Sequence, residues 1–452
     1  MNELPQGWTA TTLGDLGRWS SGGTPSKRHP EYYGGDIPWV RTGDLRDIEI
    51  QDVEGRISLE GLANSSAKEF PAGTLLVAMY GATIGRTGML RIPATTNQAC
   101  AALLPDPVTE DMMPFLWWFF RHKIEDFRAI GQGGAQPNIS QTVIKASGID
   151  LPPLLEQRRI VAKLGRLSAR SAAARDHLAR TIKLATRAKQ AILSRAFIGE
   201  MTADWRVEEH GAGHVTARGF PTSWCRQTLK ESSQDISYGF TTSAQQTGDA
   251  PLFLRITDVQ DYAVDWPSVP RCKDKPPVSK LLASGDIVIA RTGATTGKSY
   301  LLSDIPEPTA FASYLIRVRA SSDLLPEYLW KFMWSADYWQ QITNVSKGTA
   351  QPGANASILS GLILPVPPLA EQAEIIRRIE AAFTRIDRMT DEASRAAHLL
   401  DRLDERLLAK AFAGELVPQD PDDEPADALL TRIREARAVA PRPKRGRRKA
   451  SA

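Results

Sequence analysis

Gly293-Ala-Thr-Thr-Gly-Lys-Ser is the stretch of this chain that comes nearest to a phosphate-binding loop. A nucleotide loop of that kind has the pattern G-x-x-x-x-G-K-[ST], whose length lets consecutive backbone N–H groups wrap a phosphate. Here only three residues separate Gly293 from Gly297, and position 292 is Thr. A second copy, Gly81-Ala-Thr-Ile-Gly-Arg-Thr, has the same short spacing and carries Arg86 where the first carries Lys298. A nucleotide site shortened in both copies is not expected to work. Both read instead as glycine turns after a strand, letting the backbone approach a phosphate or base while Arg86 and Lys298 contact nucleic acid.

Other reactive patterns fall away on inspection. Asp150-Leu-Pro-Pro-Leu approximates the [DN]-P-P-[FYW] loop of amino-methyltransferases, but Leu151 interrupts it and no aromatic follows the prolines. Its copy, Leu364-Pro-Val-Pro-Pro-Leu, has no acid, so both read as stiff lead-ins to a helix. His210 and His214 lie in a glycine-rich stretch without a third ligand in view. No Ser/His/Asp set or carboxylate pair recurs in both halves, so no catalytic activity and no metal are expected.

Polar side chains on turns after strands are the better candidates for base contact. In the first half these are Arg41, Asp44, Tyr80, Arg86, Asn97, Gln98 and Gln136. Their rough counterparts are Arg255, Asp258, Thr292, Lys298 and Gln351. Arg matches the acceptor edge of guanine in the major groove, and Asn or Gln matches adenine. The aromatic runs Trp117-Trp118-Phe119-Phe120 and Trp330 to Trp339 read as helical core rather than stacking platforms.

These groups are carried by a chain that is written twice. Trp39-Val-Arg-Thr-Gly-Asp-Leu recurs as Phe253-Leu-Arg-Ile-Thr-Asp-Val, Ala135-Gln136-Pro137 as Ala350-Gln351-Pro352, and Leu151-Pro-Pro-Leu-Leu-Glu-Gln as Val366-Pro-Pro-Leu-Ala-Glu-Gln. Ala196-Phe-Ile-Gly-Glu likewise returns as Ala411-Phe-Ala-Gly-Glu, at an offset of 215. So long a period means two copies of a domain with its connector, not a solenoid. The expected organisation is a first mixed α/β module over 1–153, a helix over 154–200, a second such module over 201–368 and a second helix over 369–417. An acidic linker, short helix and basic tail would fill 418–452. Leu75-Leu-Val-Ala and Ile287-Val-Ile-Ala predict buried strands, Leu315-Ile-Arg-Val-Arg a half-exposed one, and Met113–Ile130 and Leu325–Ile342 helices.

Apolar residues recur at alternate steps of four and three along both connectors. Ile160, Leu164, Leu167, Leu178 and Ile192 mark the first seam; Ile375, Ile379, Ile386, Met389, Leu400, Leu403 and Leu407 mark the second. A repeat of 3.5 residues predicts a coiled-coil seam, and each connector is the natural antiparallel partner of the other. Residues 151–200 carry a net +8 and 366–417 a net −2, which favours the pairing loosely.

Composition excludes several classes. Of 452 residues, 42% are hydrophobic and 24% charged, too apolar a mixture for wholesale disorder. No long apolar run predicts a membrane span or a secretory signal, and three scattered cysteines make no disulfide framework, so a cytoplasmic location is expected. The formal charge of +4 is carried by a tail, since residues 441–452 alone hold +6. The two α/β modules are not basic: 1–150 sums to −4 and 201–365 to −1.

This duplicated pattern resembles the specificity subunit of type I restriction-modification systems. The residues that carry the likeness are [WF]-[VL]-R-x-x-D, G-A-T-x-G-[RK], A-Q-P, P-P-L-x-E-Q and a helix ending A-F-x-G-E, over about 1–417. The resemblance implies two similar mixed α/β target-recognition domains separated by a pair of long antiparallel helices with a pseudo-twofold repeat. It implies a non-catalytic protein whose domains each read one half of an asymmetric bipartite site in double-stranded DNA. It also implies two adenine methyltransferase subunits holding S-adenosylmethionine, and restriction/translocase subunits holding ATP and Mg, with no cofactor on this chain. The alternative is a coiled-coil scaffold whose two modules bind protein or glycan.

Overall fold

The computed structural model describes residues 3–131, 137–210, 220–260, 263–346 and 354–439. Two compact units result, one of Met1–Asp176 with Ala396–Ala452 and the other of His177–Arg395. The division falls within two helices of 44 residues each, Leu154–Phe197 and Leu369–Phe412. Each unit holds one module and a stretch of both helices, because the helices run antiparallel. In the first unit Ser171 donates to Asp404 at 2.8 Å and Arg175 bridges Asp401 and Asp404 at 2.9 and 2.8 Å. In the second, Lys189 pairs with Asp387. Basic groups of the first helix thus meet acids of the second, as their charges suggest. No helix of the described residues is long and apolar enough to cross a membrane.

The first unit is built on a hairpin. Leu75–Ala78 pairs antiparallel with Thr87–Leu90, Leu75 opposite Met89, and all eight residues are buried. Burial on both faces explains why the run Leu75-Leu-Val-Ala has no alternating polar residue. The sheet order is Arg18–Ser21, Cys100–Leu104, Leu75–Ala78, Thr87–Leu90, Ile48–Ile50. A second sheet runs Arg56–Ile57, Tyr33–Val40, Ala94–Thr96, Glu69–Phe70. A two-stranded ribbon of Thr9–Thr12 and Gly148–Leu151 joins the start of the module to its end.

The second unit repeats this plan. Ile287–Ala290 and Ser299–Leu301 form the hairpin, flanked by Leu315–Ala320 and Ser233–Tyr238. Cys225–Thr228 pairs with Ile363–Val366 in the equivalent ribbon. Trp118, Phe119 and Phe120 lie in the core of the first unit, and Phe332 and Tyr338 in that of the second.

The duplicated Pro-Pro-Leu-x-Glu-Gln motif is a buried lock at the base of each long helix. Trp8 Nε1 donates to Glu156 at 3.0 Å, and Trp224 Nε1 to Glu371 at 2.8 Å. Gln157 donates to the carbonyl of Pro152 at 2.9 Å and Gln372 to that of Pro367 at 2.8 Å, tying each glutamine to the proline lead-in. The copies differ in charge balance. Glu371 also accepts from Thr202, at 2.7 Å, and from the buried Arg206. Glu156 keeps one carboxylate oxygen without a partner, and burial pushes its carboxyl above the usual range despite the Trp8 N–H.

Three local expectations are corrected. The expected helices Met113–Ile130 and Leu325–Ile342 each break in two: Met113–His122 and Ile124–Gly131, then Pro326–Phe332 and Ala336–Ser346. At the second break Ser335 Oγ accepts from the backbone N–H of Tyr338 at 3.3 Å and starts a new helix, an effect of local capping that apolar periodicity does not register. The strand Leu315–Ala320 is not half-exposed: Arg317 is buried, with Asp235 at 2.6 Å and the Phe311 ring beneath it.

The third correction concerns the seam. Ile160, Leu164, Ile375 and Ile379 are buried, while Leu167, Leu178, Ile192, Ile386, Leu400 and Leu407 are half-buried. Leu403, however, is 47% exposed and Met389 57%. Lys189, Leu193, Phe383, Thr390 and Asp404 take the inward positions instead. A straight α-helix drifts about 20° per heptad from a 3.5-residue repeat, so over nearly five heptads the inward row moves by about one residue. The apolar letters fit a 3.5 repeat, whereas the inward row is shifted by about one residue toward the far end of each seam and takes in the polar Lys189, Thr390 and Asp404.

Candidate nucleic-acid interface

Backbone hydrogen bonds bring most of the predicted residues of the first module together. Asn97 N–H donates to Val40 at 3.0 Å, which sets Asn97 beside Arg41. Met79 N–H donates to Ala99 at 2.9 Å, and Ile139 N–H to Met79 at 2.9 Å. Gly81 N–H reaches Pro137 at 3.0 Å. Arg41, Asn97, Gln98, Tyr80 and the segment at 137–139 therefore lie side by side where Tyr33–Val40 and Leu75–Ala78 end and Cys100–Leu104 begins. Arg41, Tyr80 and Gln98 are exposed, and Asn97 is half-buried. Gln98 accepts from Thr24, while Asn97 Oδ1 lies 3.2 Å from the buried Cys100 thiol.

The second module repeats three of these bonds. Ala312 N–H donates to Leu254 at 2.9 Å, Arg291 N–H to Tyr314 at 3.1 Å and Ala354 N–H to Arg291 at 2.9 Å. Position by position, Asn97 corresponds to Ala312, Gln98 to Ser313, Ala99 to Tyr314, Met79 to Arg291 and Tyr80 to Thr292. The backbone is shared and the side chains are not. Sequence reading missed Arg291 and Tyr314, because their counterparts, Met79 and Ala99, are buried and were not candidates. An arginine and a tyrosine flanking the glycine turn were the signals available.

The glycine loops are hairpin turns, not strand-to-helix phosphate loops. Ala78 N–H donates to Arg86 O and Gly85 N–H to Ala78 O, at 2.8 and 3.0 Å; Ala290 and Lys298, and Gly297 and Ala290, bond likewise at 2.8 Å each. Gly81 and Gly293, with φ of +68° and +77°, adopt the left-handed backbone, and a Cβ at either would meet nothing within 4 Å. That open space admits a ligand close to the backbone. Lys298 is exposed. Arg86 is half-engaged, with Asp47 at 2.5 Å, and Asp47 also accepts from Thr87 N–H at 2.9 Å.

Two predicted contacts also serve their own turns. Asp44 and Asp258 accept the backbone N–H of Arg41 and Arg255 at 2.8 and 2.9 Å, capping a short turn. Asp258 also holds both sides of the Arg255 guanidinium, at 3.0 and 2.7 Å, and raises its affinity for the proton. The Arg-x-x-Asp repeat thus caps its own turn in both modules, and Asp258 also aims Arg255. Thr292 is half-buried on the second edge. Gln136 and Gln351 lie outside the described residues, as does His214. Among the described residues no group of three His, Cys, Asp or Glu side chains is placed to hold a metal.

Comparison with known proteins fits this duplicated architecture. Residues 5–182 and 278–394 match the type I restriction modification DNA specificity domain. The chain is 25% identical to the type I restriction enzyme EcoKI specificity subunit of Escherichia coli K12, across 99% of both chains. It is 27% identical to the EcoDI specificity subunit of Escherichia coli over 74% of this chain and 79% of that one. Its fold is similar to a chain solved in a study of complex assembly and conformational transition of the type I R-M system, with a TM-score of 0.72 at 20% identity over 92% and 100% of the two chains. The HsdS subunit from Thermoanaerobacter tengcongensis gives 0.57 at 19% identity over 92% and 99%. The chain belongs to this family: it is a DNA specificity subunit of a type I restriction-modification system, the non-catalytic component.

Proposed function

We propose that each module reads one half of an asymmetric bipartite site in double-stranded DNA through the strand-end edge described above. The observation that carries this reading is that two edges with the same backbone hydrogen bonds present different side chains. A duplicated binder of one ligand would keep them; a reader of two unlike half-sites would not. The first edge would use Arg41, Tyr80, Asn97 and Gln98, with Arg86 and the Gly81 turn on phosphate or base. The second would use Arg255, Thr292 and Lys298, with Gln136 and Gln351 assigned to the two edges by sequence alone. Asp44 and Asp258 support them.

In this reading the paired helices set the gap between half-sites and recruit two adenine methyltransferase subunits. These hold S-adenosylmethionine, and restriction/translocase subunits with ATP and Mg join them. The weak charge of the modules supports a division of labour, in which the partners and the basic tail supply much of the phosphate affinity. A scaffold for protein or glycan predicts no sequence-dependent DNA affinity. Binding of random and cognate duplexes to this chain, reconstituted with its methyltransferase, separates the two: a preference of a hundredfold or more supports the proposal, and equal affinity refutes it.

A further inference from the structure

Resting on the DNA-reading proposal, we infer that Arg291, held over Tyr238, and the exposed Tyr314 determine the base sequence read by the second module. In the first module the two equivalent backbone positions are Met79 and Ala99, both buried, and the outward groups stand one residue away at Tyr80 and Gln98. In the second module Ala99 is replaced by Tyr314, which is 58% exposed. The second edge therefore displays a set of groups in a different register from the first.

Arg291 has the features of a reader. Its guanidinium lies 5.1 Å from the centre of the Tyr238 ring, a cation–π contact that holds it without consuming its N–H donors. Tyr238 is fixed in turn, its hydroxyl accepting the Ala356 N–H at 3.0 Å. The N–H fork of an arginine held at an edge matches guanine O6 and N7. Tyr314, whose carbonyl accepts the Arg291 N–H, adds an aromatic face and a hydroxyl beside it.

The test uses the complex of this chain with its methyltransferase subunits. Arg291→Met and Tyr314→Ala install the residues that the first module carries at the same backbone positions. Each complex is given a library of duplexes randomised in both half-sites, and preference is read at every base. The expected result is a loss of about 10- to 100-fold discrimination at one or two bases of one half-site, with the other half-site and the gap unchanged. Asn97→Ala should relax the opposite half-site. Unchanged preferences, changes spread over both halves, or a uniform fall in affinity with preference intact would each overturn the inference. Should Arg291→Met abolish binding altogether, Arg291→Lys decides: it keeps the charge and loses the planar fork, so relaxation at the same base supports the reading and an unchanged motif rejects it. If the unaltered complex shows no bipartite preference, the DNA-reading proposal itself fails, a separate outcome.

Discussion

Glu371 is 1% exposed and gathers Trp224, Thr202 and Arg206 around its carboxylate. Removing one member of a buried charge pair leaves the other unpaired, at a cost of about 3–5 kcal/mol. Glu371→Ala should therefore lower unfolding free energy in denaturant titration by that order. The matching Glu156→Ala should cost less, since Glu156 has no charge partner in hydrogen-bond contact and burial already disfavours its ionised form. Equal losses would mean that the two locks are energetically alike despite their different partners.

At the scale of elements, the inward row along the helices makes an opposite pair of predictions. Leu193, 1% exposed, sits in the core of the second unit, and Leu193→Ala should cost about 2–5 kcal/mol. Leu403→Gln on the exposed side should change stability by no more than about 0.5 kcal/mol, although the letter pattern puts Leu403 in the seam and leaves Leu193 out of it. Helix stability also depends on acid. Arg377 and Arg378 hold the Glu374 carboxyl down to about 2, from an ordinary value of 4.5. A depressed carboxyl stabilises the fold above its unfolded value, and that contribution is lost as pH falls from about 4.5 toward 2. Glu374→Gln should flatten the decline in stability over that window, as measured by thermal melts at stepped pH.

The sequence shows the repeat, the two buried hairpins, the long helices and most of the first edge because each is written in local letters: Leu75-Leu-Val-Ala, the Gly81 turn, the Pro-Pro-Leu-x-Glu-Gln lead-in. It does not show the break at Ser335, which depends on a cap, nor the burial of Arg317, which depends on Asp235 from a neighbouring strand. Arg291 and Tyr314 escaped for a related reason. Their significance rests on hydrogen bonds between distant segments, and the buried Met79 and Ala99 hide it in the other copy. That Asp44 and Asp258 cap their own turns is likewise not legible, because a capping aspartate leaves the same letters as one that faces a ligand.

For the molecule as a whole, the charge distribution predicts a separation of affinity from specificity. Residues 441–452 carry +6 while both modules are near neutral or acidic. Deleting the tail should weaken DNA binding and flatten its dependence on salt, leaving the methylated sequence unchanged. A changed motif would place the tail among the sequence readers.

The most direct test of the account combines both modules and the helices between them. Methylated adenines are mapped across a genome with this gene present, deleted, and carrying four extra residues in one long helix. Four residues extend a helix by about 6 Å, close to two base pairs of rise. The account predicts a bipartite motif with a fixed gap that vanishes on deletion and returns with the same two half-sites and a longer gap in the insertion variant. A contiguous palindrome, a motif indifferent to deletion, or an unchanged gap in the variant would contradict it.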